Sequence, residues 1–420
     1  SRRCHVINLQ IGSSAGLQTR TRTLAAGTPP VQPVRRPAVL IRADPRFWPT
    51  LFGMSRRIWI VAFAACVLGF VGAPLRAQWQ ILNSGTTADL RGIDNVGGGV
   101  AWASGTNGTV LRTEDGGYLW QPCTVPPGAE KLDFRGIQAF DANTAIVMSS
   151  GTGDLSRLYK TTDGCQTWKL LFTNPDKDGF WDAMKLSNPN GHPSEGESGI
   201  ILGDPVGGRF TIEWTNDSGD TWKRLSIPPS LLGEGAFAAS NSALFAEWED
   251  GIEVFGTGGP TGARMFTTCD PCATKPFDKE QWHVQPMPMF GKGASVGVFS
   301  IAAKLYGPSG SYIAVGGDYS KPDSPGTAAY SKKWLVWHAA QTPPHGYRSA
   351  VAYDEATKTW ITVGPNGTDV SIDDGRNWRA VHPDTEMHEA ADADGSWNAL
   401  SLPYVVGPHG RIGKLEKGSF

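Results

Sequence analysis

TNDSGDTW, running from Thr215 to Trp222, is a polar octet rich in turn formers that closes on a tryptophan. It has near copies in TEDGGYLW from Thr113, TTDGCQTW from Thr161 and SIDDGRNW from Ser371. Each places Asp third and Trp eighth: Asp115 and Trp120, Asp163 and Trp168, Asp217 and Trp222, Asp373 and Trp378. The first three aspartates stand 48 and 54 residues apart, a period that fits a propeller blade or a kelch-like unit. The octet therefore belongs to a repeat, and its composition is that of a hairpin. A tight turn leaves backbone N–H groups unpaired at its tip, where an Asp carboxylate accepts them while Gly takes the positive φ. The leading Ser or Thr adds a local bond. The Trp opens the next strand, wedges its apolar face between sheets and offers its indole N–H to a carbonyl.

On these residues the chain resembles the Asp-box, or bacterial neuraminidase repeat, propellers, whose motif is S/T-x-D-x-G-x-T-W. The copy at Thr215 matches every fixed position; the others carry Leu119 for Thr, Cys165 for Gly and Asn377 for Thr. The boxes are expected to be structural.

The first methionine is Met54, and MSRRIWIVAFAACVLGFVGAPLRAQW reads as an export signal over residues 54–77. Arg56 and Arg57 form a basic head, Ile58 to Val71 an apolar run short for a bilayer, and Leu75-Arg76-Ala77 a cleavage site. SRRIWI partly matches a twin-arginine signal, so either export route stays open. Residues 1–53 hold eight Arg and one acidic residue, and read either as sequence upstream of the true start or as a transit peptide. Neither forms a stable core. Residues 1–77 take 11 basic and 1 acidic residue from totals of 38 and 40, leaving 27 against 39, a net charge of −12. That acidic balance argues against nonspecific nucleic-acid or anionic-membrane binding. No transmembrane segment is expected in the exported chain, whose destination is the periplasm, the exterior, or a thylakoid lumen in a photosynthetic organism. Of its four cysteines, Cys269 and Cys272 flank Asp-Pro as a local bridge, a redox pair or half a metal site, the bridge being favoured. Cys123 and Cys165 are free to pair with each other. No metal site is assigned. With no Gly-rich dinucleotide loop or haem-attachment CxxCH, no cofactor is expected.

Degenerate units end at Trp282 and Trp337, and the C-terminal YVVGPHGRIGKLEKG stops before any Trp. QWQILNSGTT around Trp79 supplies the missing strand. The expected fold is all-β: a single seven-bladed propeller over residues 78–420, with four-stranded antiparallel blades, the last closed by the N-terminal strand. Its 343 residues give about 49 per blade, whereas the alternative of six blades needs about 57. The chain is expected to be monomeric.

A second column repeats once per blade. LRGI, FRGI, FWDA, GEGA, VFSI, YRSA and MHEA, aligned as starts of inner strands, put Arg91, Arg135, Trp181, Glu234, Phe299, Arg348 and His388 in one ring around the axis. Chain direction places the Asp boxes on the opposite face. The second-to-third strand loops, which hold Asn107, Asp204, Asp318, Asn366 and His409 beside glycines, join the ring on its face. Asn107-Gly108 and Asn366-Gly367 read as hairpin turns; Asp204 and Asp318 are site candidates. Guanidinium groups favour carboxylates and phosphates through bidentate bonds, but the same arginines can instead pair with acids of neighbouring blades.

Two resemblances bear on activity. The repeated RGI starts, G-x-x-G turns and DGG-x-T-W-type boxes resemble the seven-bladed photosystem II stability/assembly factor-like proteins. That resemblance implies a scaffold or chaperone, with Arg91 and Arg135 on a partner-recognition surface. Resemblance to the Asp-box sialidases implies instead a glycoside hydrolase, its residue types supplied by Arg91, Arg135, Arg348, Tyr347, Glu234, Asp182 and Asp204. The sialidase Arg-Ile-Pro segment is absent, and those enzymes have six blades. The favoured expectation is a non-enzymatic propeller binding a protein partner or an anionic or carbohydrate ligand at its axial face, with glycan hydrolysis as the alternative.

Overall fold

The computed structural model describes residues 79–187, 198–225, 227–247, 252–268, 282–288, 291–304, 310–332, 336–383 and 389–415. Export segment, Cys269, Cys272 and His388 lie outside them. Among the described residues, no helix is long and apolar enough to cross a membrane.

Seven antiparallel sheets form the molecule. Blade 1 is typical, with strands Leu90–Gly97, Val100–Gly105, Val110–Thr113 and Gln121–Pro122 running from the axis outward. The other inner strands are Phe134–Ala139, Trp181–Leu186, Leu244–Glu247, Gly293–Lys304, Ala350–Asp354 and Ala399–Ser401. Each touches the inner strands of both neighbours, which closes the ring. Blade 7 takes Trp79–Leu82 as its outermost strand, paired antiparallel to Ile412–Leu415. The seven-bladed expectation and its N-terminal closure both hold. Blade 5 departs from four strands, because Gly258–Gly259 pairs with its inner strand as a fifth.

Packing follows the wedge shape of the blades. Seven buried apolar clusters are each drawn from two adjacent blades. Between blades 6 and 7, for example, Trp79 and Trp397 meet at 6.0 Å and pack against Ile361, Val363 and Val405. Such a core cannot form within one sheet, so blade stability is shared.

The octets form self-contained hairpins. At Thr215, the hydroxyl donates to Asp217 Oδ1 (2.7 Å) and accepts from Gly219 N (3.1 Å). Asp217 then accepts the Thr221 N–H at 2.8 Å and its hydroxyl at 2.6 Å. The other three boxes repeat the first three bonds. Asn377 replaces the Thr hydroxyl with its amide, 2.8 Å from Asp373 Oδ2, while Leu119 has no donor to offer. Trp222 and Trp378 donate their indole N–H to Gly219 and Gly375 carbonyls. Cys165 takes the glycine position at φ 62°, and its sulfur is bonded to Cys123 of blade 1.

Candidate functional site

The ring exists, but its membership differs from the aligned column. The inner hairpins slip by one residue between Leu90 and Gly92, Phe134 and Gly136, Trp181 and Ala183, and Val298 and Ser300. The skipped residues are Arg91, Arg135, Asp182 and Phe299. A bulge of this kind re-aims a side chain, and all four line one axial cavity of about 1280 Å³. Blades 6 and 7 follow the same geometry without a registered bulge. Leu90, Val298, Arg348 and Trp397 each donate their N–H to a carbonyl of the preceding blade, which makes Ser349 and Asn398 the partners of Arg91 and Phe299. Both also line the cavity.

Three expected ring members are therefore corrected. Trp181 is fully buried and stacks on Phe172 at 5.3 Å, and its neighbour Asp182 takes its place. Arg348 occupies the slot that is Leu90 in blade 1. It is fully buried, bonded to Asp369, to the Tyr347 carbonyl (2.8 Å) and to Asn366 Oδ1 (2.6 Å). Burial pulls its guanidinium below the usual range, against the field of Asp369, and the pair stitches blade 6 together. Glu234 lines the cavity with its backbone, but its carboxylate is held by Arg264, by the Thr257 hydroxyl (2.6 Å) and by Leu231 N (2.8 Å). It also precedes the true inner strand of blade 4, which starts at Leu244. In blade 7 the inner strand starts at Ala399, well after the expected His388. Asp318 is turned into its own loop, accepting from Ser295 Oγ (2.6 Å), Ser320 N (3.0 Å) and Ser320 Oγ (2.7 Å).

Blade 4 contributes something else. Residues 236–242 bond to blades on several sides: Ala238 O accepts from Arg135 (3.1 Å), Asn241 Oδ1 from Met184 N (2.8 Å), and Ser240 Oγ donates to Ser349 O (2.7 Å). Ser242 Oγ reaches Ser300 Oγ at 2.7 Å. A segment tied to blades 2, 3, 5 and 6 lies across the axis and floors the cavity.

The cavity has three chemically distinct walls. On blades 1 and 2, Arg91 and Arg135 share one carboxylate: Arg135 Nε donates to Asp133 Oδ2 at 2.8 Å, and Arg91 Nε stands 3.9 Å from Asp133 Oδ1. Arg91 Nε is itself buried and has no hydrogen-bond partner among the described residues. On blade 3 stand Asp182 and Asp204. Burial pushes Asp182 well above the carboxylate range and the neighbouring Asp204 charge adds to this, with Arg135 opposing. Burial pushes Asp204 up to about 6, held back by the Ala236 N–H that it accepts at 3.0 Å. Asp182 Oδ2 is buried and without a hydrogen-bond partner among the described residues. The third wall, from blades 4 to 6, is aromatic: Phe237, Phe299, Tyr319 and Tyr347. Burial raises the Tyr347 phenol, Tyr319 adding to the rise and Arg91 opposing it.

The fold and cavity define the class: a seven-bladed propeller with a floored axial pocket. A solved structure of YCF48 bound to D1 peptide aligns at a TM-score of 0.53 and 16% identity, covering 82% of this chain and 99% of that one. YCF48 from Cyanidioschyzon merolae aligns at 0.54 and 16%, covering 81% and 99%. The GH74 xyloglucanase from Xanthomonas campestris aligns at 0.55 and 14%, covering 82% of this chain and 54% of that one, so the chain spans about half that enzyme's length. At these identities the likeness is one of fold. No protein-family model and no curated protein sequence matches the chain.

Proposed function

We propose that this propeller binds an anionic partner, a polypeptide above all, in its axial cavity, as a scaffold or chaperone does. One observation carries the reading: Arg91 and Arg135 line an open cavity and share a single carboxylate, Asp133. Protonation of Asp204 as pH falls through about 6 removes a negative charge from the cavity that Arg91 and Arg135 line, so anion affinity rises on acidification. The neighbour solved with a D1 peptide supports a polypeptide ligand. The test is fluorescence anisotropy with acidic and charge-neutral labelled peptides from pH 5 to 8, on wild type and on Arg91→Ala and Arg135→Ala. Acidic-peptide binding that strengthens toward pH 5 and is lost in both variants supports the reading; pH-independent binding that ignores both variants ends it.

A second reading rests on Asp182 and Asp204. Glycoside hydrolysis recruits one carboxyl raised as acid and a second left ionised; Asp182, raised by burial, and Asp204, ionised above about 6, are the pair that the cavity offers. Glu234 is clamped and Tyr347 is buried with its phenol raised, so neither serves as nucleophile. Turnover of xyloglucan or aryl glycosides that Asp204→Asn abolishes would establish hydrolysis. No release of reducing sugar across such a panel would discard it.

A further inference from the structure

The aromatic wall is rigid and faces the arginines. Phe237 and Phe299 stack with centroids 4.1 Å apart and planes 24° apart, and Tyr347 meets Phe299 edge-on at 4.8 Å. Tyr319 stands edge-on to both, 6.3 Å from Phe237 and 6.0 Å from Phe299. Two glycines hold the wall in place. A Cβ at Gly297 would lie 2.5 Å from the Phe237 ring, and one at Gly258 would lie 2.7 Å from it. Phe237 thus packs against two bare backbone segments and on Phe299 without any ligand present, and a ring already seated lowers the ordering cost of binding. Tyr319 keeps 53% of its surface in water, and of the other lining residues Leu231 and Leu232 are 43% and 91% exposed.

We infer that the cavity takes a peptide segment in which an aromatic side chain neighbours a carboxylate, the ring against Phe237 and Tyr319 and the carboxylate toward Arg91 and Arg135. This rests on the reading of the cavity as an anionic-ligand site. Charge complementarity selects the acidic group, and the wall opposite selects the ring. At about 1280 Å³ the cavity exceeds the roughly 300–1,000 Å³ of ordinary small-molecule sites, which favours a chain segment. Bare leucines at the mouth cannot bond sugar hydroxyls but can cover apolar peptide side chains, which favours a peptide over an oligosaccharide.

The test uses two fluorescein-labelled peptides of equal charge and length, one alternating Phe and Glu, the other Ala and Glu, titrated by anisotropy into the purified protein. Wild type is expected to bind the Phe peptide about tenfold more tightly. The solvent-facing substitution Tyr319→Ser should remove most of that preference and leave the Ala peptide unchanged, with Phe237→Leu as a second variant on the same wall. Arg91→Ala should weaken both peptides. Equal binding of the two peptides, still dependent on Arg91, overturns the aromatic inference and leaves the proposed function standing. A Phe preference that survives both wall variants also overturns it. Binding of neither peptide removes both readings, and binding of an acidic oligosaccharide instead replaces the peptide with a glycan.

Discussion

On the hairpin face, Asp163 and Asp217 are held down to about 2, chiefly by the hydroxyls of Thr167 and Thr221 and by the same residues' N–H groups. On the axial face, burial drives Asp204 up to about 6 and raises Asp182 well above the usual carboxylate range. The same side chain is thus fully used by its own turn on one face and left in want of partners on the other. That difference separates a structural repeat from a candidate site better than any residue type does. It also gives the faces opposite responses to acid. The hairpin carboxylates stabilise the fold above their ordinary value of 3.8, and that contribution is lost as pH falls through about 2. Asp204 runs the other way: burying its ionised form costs stability, a cost absent below 3.8 and fully present once pH has risen through about 6.

The contrast can be broken by showing that a closed group matters to binding or that an open one matters to folding. The largest effect is expected from Arg348→Ala, which leaves the buried Asp369 carboxylate to His345 alone and should cost up to about 3–5 kcal/mol in urea unfolding. The protein that remains folded should bind acidic peptides as wild type does. Next, opening the Cys123–Cys165 bridge with a double Ala substitution releases a 42-residue separation and should cost on the order of 4 kcal/mol. Melting with and without reductant measures it, and the variant should show no difference between the two. Asp204→Asn should do the reverse, stabilising by about 1–2 kcal/mol at pH 7.5 and by nothing at pH 3.5, the range allowing for solvent at its partly exposed carboxyl. Equal unfolding midpoints for mutant and parent at pH 7.5 would show that Asp204 is not strained. The smallest stability change, within about 0.5 kcal/mol, belongs to Arg91→Ala, because its guanidinium is only loosely engaged. A large loss there would make Arg91 another stitch like Arg348.

The architecture was legible because the Asp boxes are local: spacing, turn chemistry and the tryptophan all lie within eight residues, and the seven aligned starts matched the blades in number, although GEGA and MHEA precede the inner strands of blades 4 and 7. The cavity was only half legible. Arg91 and Arg135 stand in identical RGI contexts, so their positions could be aligned. In FWDA the alignment ran one residue early, because Phe180 and Trp181 are both bulky and only the bulge at Asp182 separates them. In YRSA it also ran early, since Arg348 fills an apolar slot by virtue of a partner, Asp369, that sits on another strand. Ser349 and Asn398 carried no signal of their own beyond their place one residue further on. Phe237 was missed because blade 4 spends that stretch crossing the axis, an excursion that no repeat pattern announces.

That crossing has a consequence for traffic. A propeller with an open axle can pass a strand or a small molecule from face to face, but residues 236–242, bonded to blades 2, 3, 5 and 6, turn the axle into a cup. On the reading proposed above, a guest would enter and leave by one mouth, held by a tip or a fold and not threaded through.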